Sequence, residues 1–279
     1  MKMSLDGLFT ADKPLIGMVH LLPLPGSPGF AGRLEEVADR AVLDAQLLHE
    51  AGFDGVIVEN FGDTPYPVGP GSLERSVALT VVLSEVRRAV SLPIGLNVQF
   101  NDYVAELTIA RFGRADFIRV EAFVDNVMTP GGPAYACAPS LARLRDALPG
   151  PRVHIFADVH VKETVPIAPT PLTVSAHNAE LAGAQALIVT GSATGAATPL
   201  EAVEEAKRGT SLPIFVGSGL TARTAYSTLA TADGAIVGTA TKIGGVATNS
   251  VDLDLAREIV QAARGYHELA DVAGAHRFQ

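Results

Sequence analysis

The sequence predicts an α/β protein with a single TIM-barrel domain, a (β/α)8 barrel over residues 1–279 with a short N-terminal lead at 1–13. Three observations carry this. Eight short apolar runs recur along the chain, each ending in Gly or polar residues, and a segment with helical spacing follows each one. The runs are apolar at both odd and even positions, the pattern of strands in a parallel sheet covered by helices. Eight such units in about 250 residues suit a closed barrel better than an open doubly wound sheet. An open Rossmann-type sheet would also place a G-x-G-x-x-G turn after its first strand, and "HLLPLPGSPGF" does not supply one. No Gly/Ser linker or shift in composition divides the chain.

Taken in order, the first strand is expected at "PLIGMVHL" (14–21) and its helix from residue 34, where Leu34, Val37, Ala38, Ala41, Ala45 and Leu48 recur at three and four before Gly52 stops the last turn. "GVIVEN" (55–60) with 73–90, "LPIGLNV" (92–98) with 103–112, and "DFIRVEAF" (116–123) with 139–148 form the next three units. "VHIFADVHV" (153–161) pairs with 172–182, "ALIVTG" (186–191) with 198–208, "PIFVGSG" (213–219) with 221–230, and "GAIVGTA" (234–240) with 252–264. Loops 22–32, 61–72 and 124–138 are rich in Gly and Pro, which suits pocket walls or lids as well as ordinary turns.

Composition narrows the partners. The formal charge is −9, without any run of Lys or Arg, which argues against nucleic acid and against a polybasic membrane patch. No apolar stretch reaches the roughly 20 residues of a membrane span. The opening "MKMSLDGLFTADKP" carries Asp6 and Asp12 and no long apolar core, so it does not read as a secretory signal. The lone Cys137 excludes an intramolecular disulfide and fits a reducing compartment, so the expected location is cytoplasmic. Its flanks, "PAYACAPS", supply no base or cation, and a structural thiol is expected. With 48% hydrophobic residues the chain is compatible with a homo-oligomer.

In a (β/α)8 barrel, catalytic residues stand at the C-terminal ends of the strands. "VGSGL" (216–220) and "VGTAT" (237–241) end the seventh and eighth runs, where such barrels commonly bind phosphate through backbone N–H groups. Gly217, Ser218, Gly219, Gly238 and Thr239 are the resulting candidates for a small phosphorylated ligand, although any one of these glycines also suits a tight turn. The sixth run ends "VTGSATG", where Thr190 and its neighbours either close over the ligand or cap the next helix. His20, Glu59, Asn60, Asn97, Arg119 and Glu121 end other runs, and burying so many polar groups is costly unless they are paired.

The fifth run, "IFADVHVKET" (155–164), places Asp158, His160 and Lys162 at two-residue spacing, hence on one face of an extended strand. Asp158 and His160 suit an acid/base pair or, with Glu59 or Glu121, a divalent metal. Lys162 suits a Schiff base or a phosphate-holding cation. A metal is not favoured, because no HxxH pair or facial triad is legible, and the cofactor stays open.

These stretches, together with "KPLIGMVHLLPLPGSP" (13–28), "GVIVENFGDTPY" (55–66), "GLNVQFND" (95–102), "ADVHVK" (157–162) and "DGAIVGTATKIGG" (233–245), resemble the BtpA/SgcQ family over essentially the whole chain. That family is similar to the ribulose-phosphate-binding barrels. The resemblance implies a phosphate-binding barrel, and it implies links both to photosystem I biogenesis and to sugar utilisation without naming a reaction. Phe100 stands where the family pattern has Arg, Glu121 where it has Asn, and Glu163 where it has His. Fewer cations and more acids near the mouth imply a substrate of its own. The expectation is an isomerase or a lyase of aldolase type acting on a small phosphorylated sugar or nucleoside-derived metabolite; the alternatives are a non-catalytic assembly factor or a metabolite-binding protein.

Overall fold

Each expected apolar run becomes a strand, and a helix follows it. The computed structural model describes residues 5 and 7–275, and of residues 266–275 only the helical backbone. In chain order the elements are β1 (Leu15–His20), α1 (Leu34–Ala51), β2 (Gly55–Glu59), α2 (Leu73–Ala89), β3 (Ile94–Asn97), α3 (Tyr103–Gly113) and β4 (Phe117–Val120). There follow β5 (Val127–Thr129), β6 (Gly132–Ala134), α4 (Ala138–Ala147), β7 (His154–Val159), β8 (Val165–Pro166) and α5 (Leu172–Leu181). The chain continues through β9 (Ala186–Val189), α6 (Leu200–Gly209), β10 (Ile214–Val216), α7 (Ala225–Thr231), β11 (Gly234–Val237) and α8 (Leu253–Ala275).

Strands β1, β2, β3, β4, β7, β9, β10 and β11 pair in that order, all parallel, and β11 closes on β1. Their outward side chains pack under the helices in one continuous apolar layer, from Val19 and Val58 to Leu48 and Leu83. The inward side chains form a second, smaller core of Ile16, Met18, Ile57, Phe117, Phe156, Ile188, Phe215 and Ile236. Phe117 stacks on Phe156 at 4.5 Å between ring centroids, and Phe156 meets Phe215 at 5.3 Å. Phe9 of the lead comes up against Phe117 edge-on at 6.1 Å and closes this end of the barrel. β3 has Gly95 where a side chain would collide with the Phe117 ring, its Cβ position lying 2.3 Å from Phe117 Cε2.

Local caps bound the helices. Ser72 accepts from Arg75 N–H at the start of α2, Asp102 accepts from Ala105 N–H at the start of α3, and Gly52 ends α1 in the left-handed region. Two features depart from expectation. The loop after β4, with β8, forms a three-stranded antiparallel sheet in the order β6-β5-β8. Strands of two or three residues are too short to show a period, so Gly and Pro dominated their signal. The extended segments also stop sooner: β4 at Val120 and β7 at Val159, where the backbone turns and His160 takes a φ of 51°.

Candidate active site

The polar mouth follows from the period of two. Two residues beyond each inward apolar position lies the next inward position: Met18 is followed by His20, Ile57 by Glu59, Phe117 by Arg119, Phe156 by Asp158 and Ile188 by Thr190. Gly95 is followed by Asn97, Phe215 by Gly217 and Ile236 by Gly238. His20 pairs in register with Glu59, and Glu59 with Asn97, so these residues stand at one level. Above this ring opens a cavity of about 770 Å³ whose lining includes Glu59, Asn97, Arg119, Glu121 and Lys162. Gly217, Ser218 and Gly219, after β10, line it across the barrel from Asn97 on β3, and Gly238 and Thr239, after β11, line it beside His20 on β1.

Arg119 and Asp158 form a bidentate buried pair, Nε donating to Oδ1 at 3.0 Å and Nη2 to Oδ2 at 2.9 Å. Burial works against the Arg119 charge, and the facing Asp158 more than offsets it, so the guanidinium is held charged. Glu121, just past β4, accepts from Asn97 Nδ2 at 2.8 Å and from the Asn101 N–H at 3.2 Å. Burial, with Asp158 nearby, pushes its carboxyl up to about 8. Glu59 accepts from Gln99 Nε2 at 2.6 Å.

His20 stacks on Phe61 at 4.2 Å and donates from Nδ1 to the Ala247 carbonyl at 2.8 Å. Burial first, then Lys242, lowers its pKa to about 3, so the ring is neutral with Nε2 as an acceptor on the Gly238 side. Burial, then Arg119, also lowers the Lys162 amine below the usual lysine range. Among the described residues nothing holds that amine in an ion pair. Lys242 does have one: it is fully buried against Asp44 Oδ2 at 3.1 Å, behind the mouth.

On the far wall, Ser218 Oγ accepts from the Gly191 N–H at 2.7 Å, and Thr198 Oγ1 donates to the Ser218 carbonyl at 3.0 Å, which ties the loops after β9 and β10 together. Gly219, at φ 74°, lies so close to the neighbouring loop that a Cβ would sit 2.3 Å from Ala197 Cα. The Gly217 N–H is already donated to Val189 O, whereas no described residue accepts from the N–H groups of Gly219, Gly238 or Thr239.

Four expected residues stand differently. His160 is exposed and outside the cavity lining, so the expectation that Asp158, His160 and Lys162 share one face is corrected at His160: the strand ends at Val159 and the positive φ rotates the next side chain away. Asn60 lies behind the wall, donating to Asp63 Oδ2 at 2.9 Å and accepting from the Gln99 N–H at 2.7 Å. Thr190 is buried with an unpartnered Oγ1 and does not line the cavity, and Asp158 reaches it only through Arg119. The sequence reading passed over Gln99, Asn101 and Glu106. Glu106 had a legible signal, an acid on the buried face of α3 beside Leu107 and Ala110. Among the described residues, no three His, Cys, Asp or Glu side chains gather as a metal would require.

The BtpA family model matches residues 11–265. The chain belongs to the BtpA family. It is 36% identical over 257 residues to the photosystem I biogenesis protein BtpA of Synechocystis, covering 90% of this chain and 88% of that one. It is 44% identical over 253 residues to an uncharacterized protein of Pyrococcus abyssi, covering 91% and 96%. Among solved structures, this BtpA-family barrel is similar to N-(5'-phosphoribosyl)anthranilate isomerase from Pyrococcus furiosus, with a TM-score of 0.54 at 12% identity over 91% of this chain and 99% of that one. It is also similar to the thiamine phosphate pyrophosphorylase of the same organism, with a TM-score of 0.56 at 13% identity over 91% and 96%. At such identities the likeness is one of fold. No helix among the described residues is long and apolar enough to cross a membrane.

Proposed function

We propose that this BtpA-family barrel is an enzyme that isomerises or cleaves a small phosphorylated sugar or nucleoside-derived metabolite at its C-terminal mouth. The observation that carries this reading is the placement of the buried Glu121 carboxyl, pushed up to about 8 chiefly by burial, in the same cavity as the Lys162 amine, which no described residue holds in an ion pair. A carboxyl that titrates near neutrality transfers protons in both directions. Opposite it, the open N–H groups of Gly219, Gly238 and Thr239 are suited to phosphate oxygens, and about 770 Å³ suits a ligand of this size. Arg119, fixed by Asp158, presents a rigid cation to a substrate oxygen, and neutral His20 presents Nε2 as an acceptor. Glu59 lines the same cavity and would serve a second proton transfer.

The test is a thermal-shift screen of the full chain against phosphorylated sugars and nucleotides, with hits carried into turnover assays. A ligand at 100 times its Kd adds about 2.7 kcal/mol, or roughly 5 °C for a chain of this length. The shift is expected to depend on the phosphate, and the Gly219→Val variant, at its own Tm, is expected to lose it. Absence of a shift from every phosphate compound would sink the reading. It would favour the second one, a role in assembly, which the name of the Synechocystis relative supports.

A further inference from the structure

Behind the site stands a buried carboxyl that no described residue satisfies. Glu106, on α3, is 0% exposed, and neither of its oxygens meets a hydrogen-bond donor. The titratable groups that act on it most, Glu121 and Asp102, are acids, and the Cys137 thiol lies near. The Val98 backbone and the Asn97 side chain lie close enough to favour the ionised form, but neither reaches it in hydrogen-bond geometry, and burial outweighs both. A buried carboxylate without a partner is among the costliest arrangements a fold can hold, and a neutral acid is not.

Asn97 supplies a second, independent observation. Both hydrogens of its Nδ2 are committed, one to the Arg119 carbonyl at 2.9 Å and one to Glu121 Oε1 at 2.8 Å. Its Oδ1 is buried and accepts nothing. The Asn97 amide therefore has no donor left for Glu106. The Asn97 side chain lies beside Glu106, and for the two Glu106 oxygens and Asn97 Oδ1 no described residue supplies a donor; a proton on Glu106 would supply one.

We propose that Glu106 is a positioning residue for Glu121: as the neutral acid it donates its proton to Asn97 Oδ1, which locks the Asn97 amide with Nδ2 on Glu121. This rests on the reading of Glu121 as the proton-transfer group. Without the lock the amide is free to turn over and present Oδ1 to Glu121. An acceptor in that place favours the protonated carboxyl, as the nearby Asp158 already does and as Arg119 opposes.

Carboxyl 13C NMR of the Glu-labelled full chain, titrated with pH, tests this without any turnover, the Glu121 resonance being assigned with Glu121→Gln. In the unaltered protein the Glu106 resonance is expected to stay that of a neutral acid through pH 7. Glu106→Gln keeps a donor and is expected to leave the Glu121 midpoint near 8. Glu106→Met has no donor and is expected to raise that midpoint by about one pH unit. A Glu106 resonance that titrates below pH 6, or a fall in the Glu121 midpoint of about a unit in Glu106→Gln, would mean an ionised Glu106 and overturn the proposal. An unchanged midpoint in Glu106→Met would overturn it too. If that variant does not fold, the first two readouts still decide. Because none of them needs a substrate, failure of the enzyme reading and failure of this one show up in different experiments.

Discussion

Replacing Glu121 by Gln should stabilise the protein at alkaline pH and not at acid pH. The folded carboxyl titrates at about 8, against 4.5 for an ordinary glutamate, chiefly through burial. Between those values the unfolded chain releases its proton while the folded chain keeps it. The contribution is therefore full below pH 4.5, falls as pH rises, and levels off above about 8. At about 1.36 kcal/mol per pH unit, the gap corresponds to roughly 5 kcal/mol lost on the alkaline side. Glutamine cannot ionise and escapes this loss. Its amide has one acceptor oxygen for two donors, so the Asn101 N–H, 3.2 Å from Oε2 in the present structure, loses its partner. That offsets about 1–2 kcal/mol. A net gain of about 3 kcal/mol at pH 8.5 corresponds to a Tm higher by roughly 6 °C for a chain of this length. Thermal unfolding at pH 5, 7 and 8.5 measures it. A difference between the two proteins that is the same at pH 5 and pH 8.5 would refute the reasoning.

Two further outcomes concern stability alone. Asp158→Ala leaves Arg119 buried without its bidentate partner and should cost about 3–5 kcal/mol in denaturant unfolding, whereas Asp158→Asn keeps one acceptor and should cost less. Phe156→Ala removes the middle ring of the inner core and should cost about 3–5 kcal/mol, read from the shift in denaturant midpoint at constant slope.

The fold and the ring of inward polar residues were legible for one reason. Strands buried on both faces announce themselves as apolar runs, and once the barrel is granted, the period of two carries the inward register from Met18 to His20, from Ile57 to Glu59 and from Phe117 to Arg119. That rule fails where the strand ends. It was carried past Val159 to His160, where the backbone has already turned. It is silent on residues that approach from elsewhere: Gln99 and Asn101 come from the loop after β3, and Glu106 from a helix. Asn60 shows the same rule at work: one residue past the inward Glu59, it is out of phase with the cavity and braces its wall, whereas Arg119, two past Phe117, faces in.

The charges of the mouth also share one cause. Burial is the leading influence on His20, which it lowers, on Lys162, which it lowers, and on Glu121, which it raises, so each is driven toward its neutral form. Arg119 goes the other way, held charged by its bidentate pair with Asp158. Where side chains are this deeply buried, an incoming charge is felt strongly. On the proposed reading, a phosphate bound close to Lys162 would favour the ammonium and the protonated form of Glu121, making the amine an anchor and the carboxyl a proton donor. A phosphate held instead at Gly219 and Thr239 would leave Lys162 nearer its neutral form and so available as a nucleophile. The two roles that the sequence left open for Lys162 are thus separated by where in the cavity the ligand's charge comes to rest.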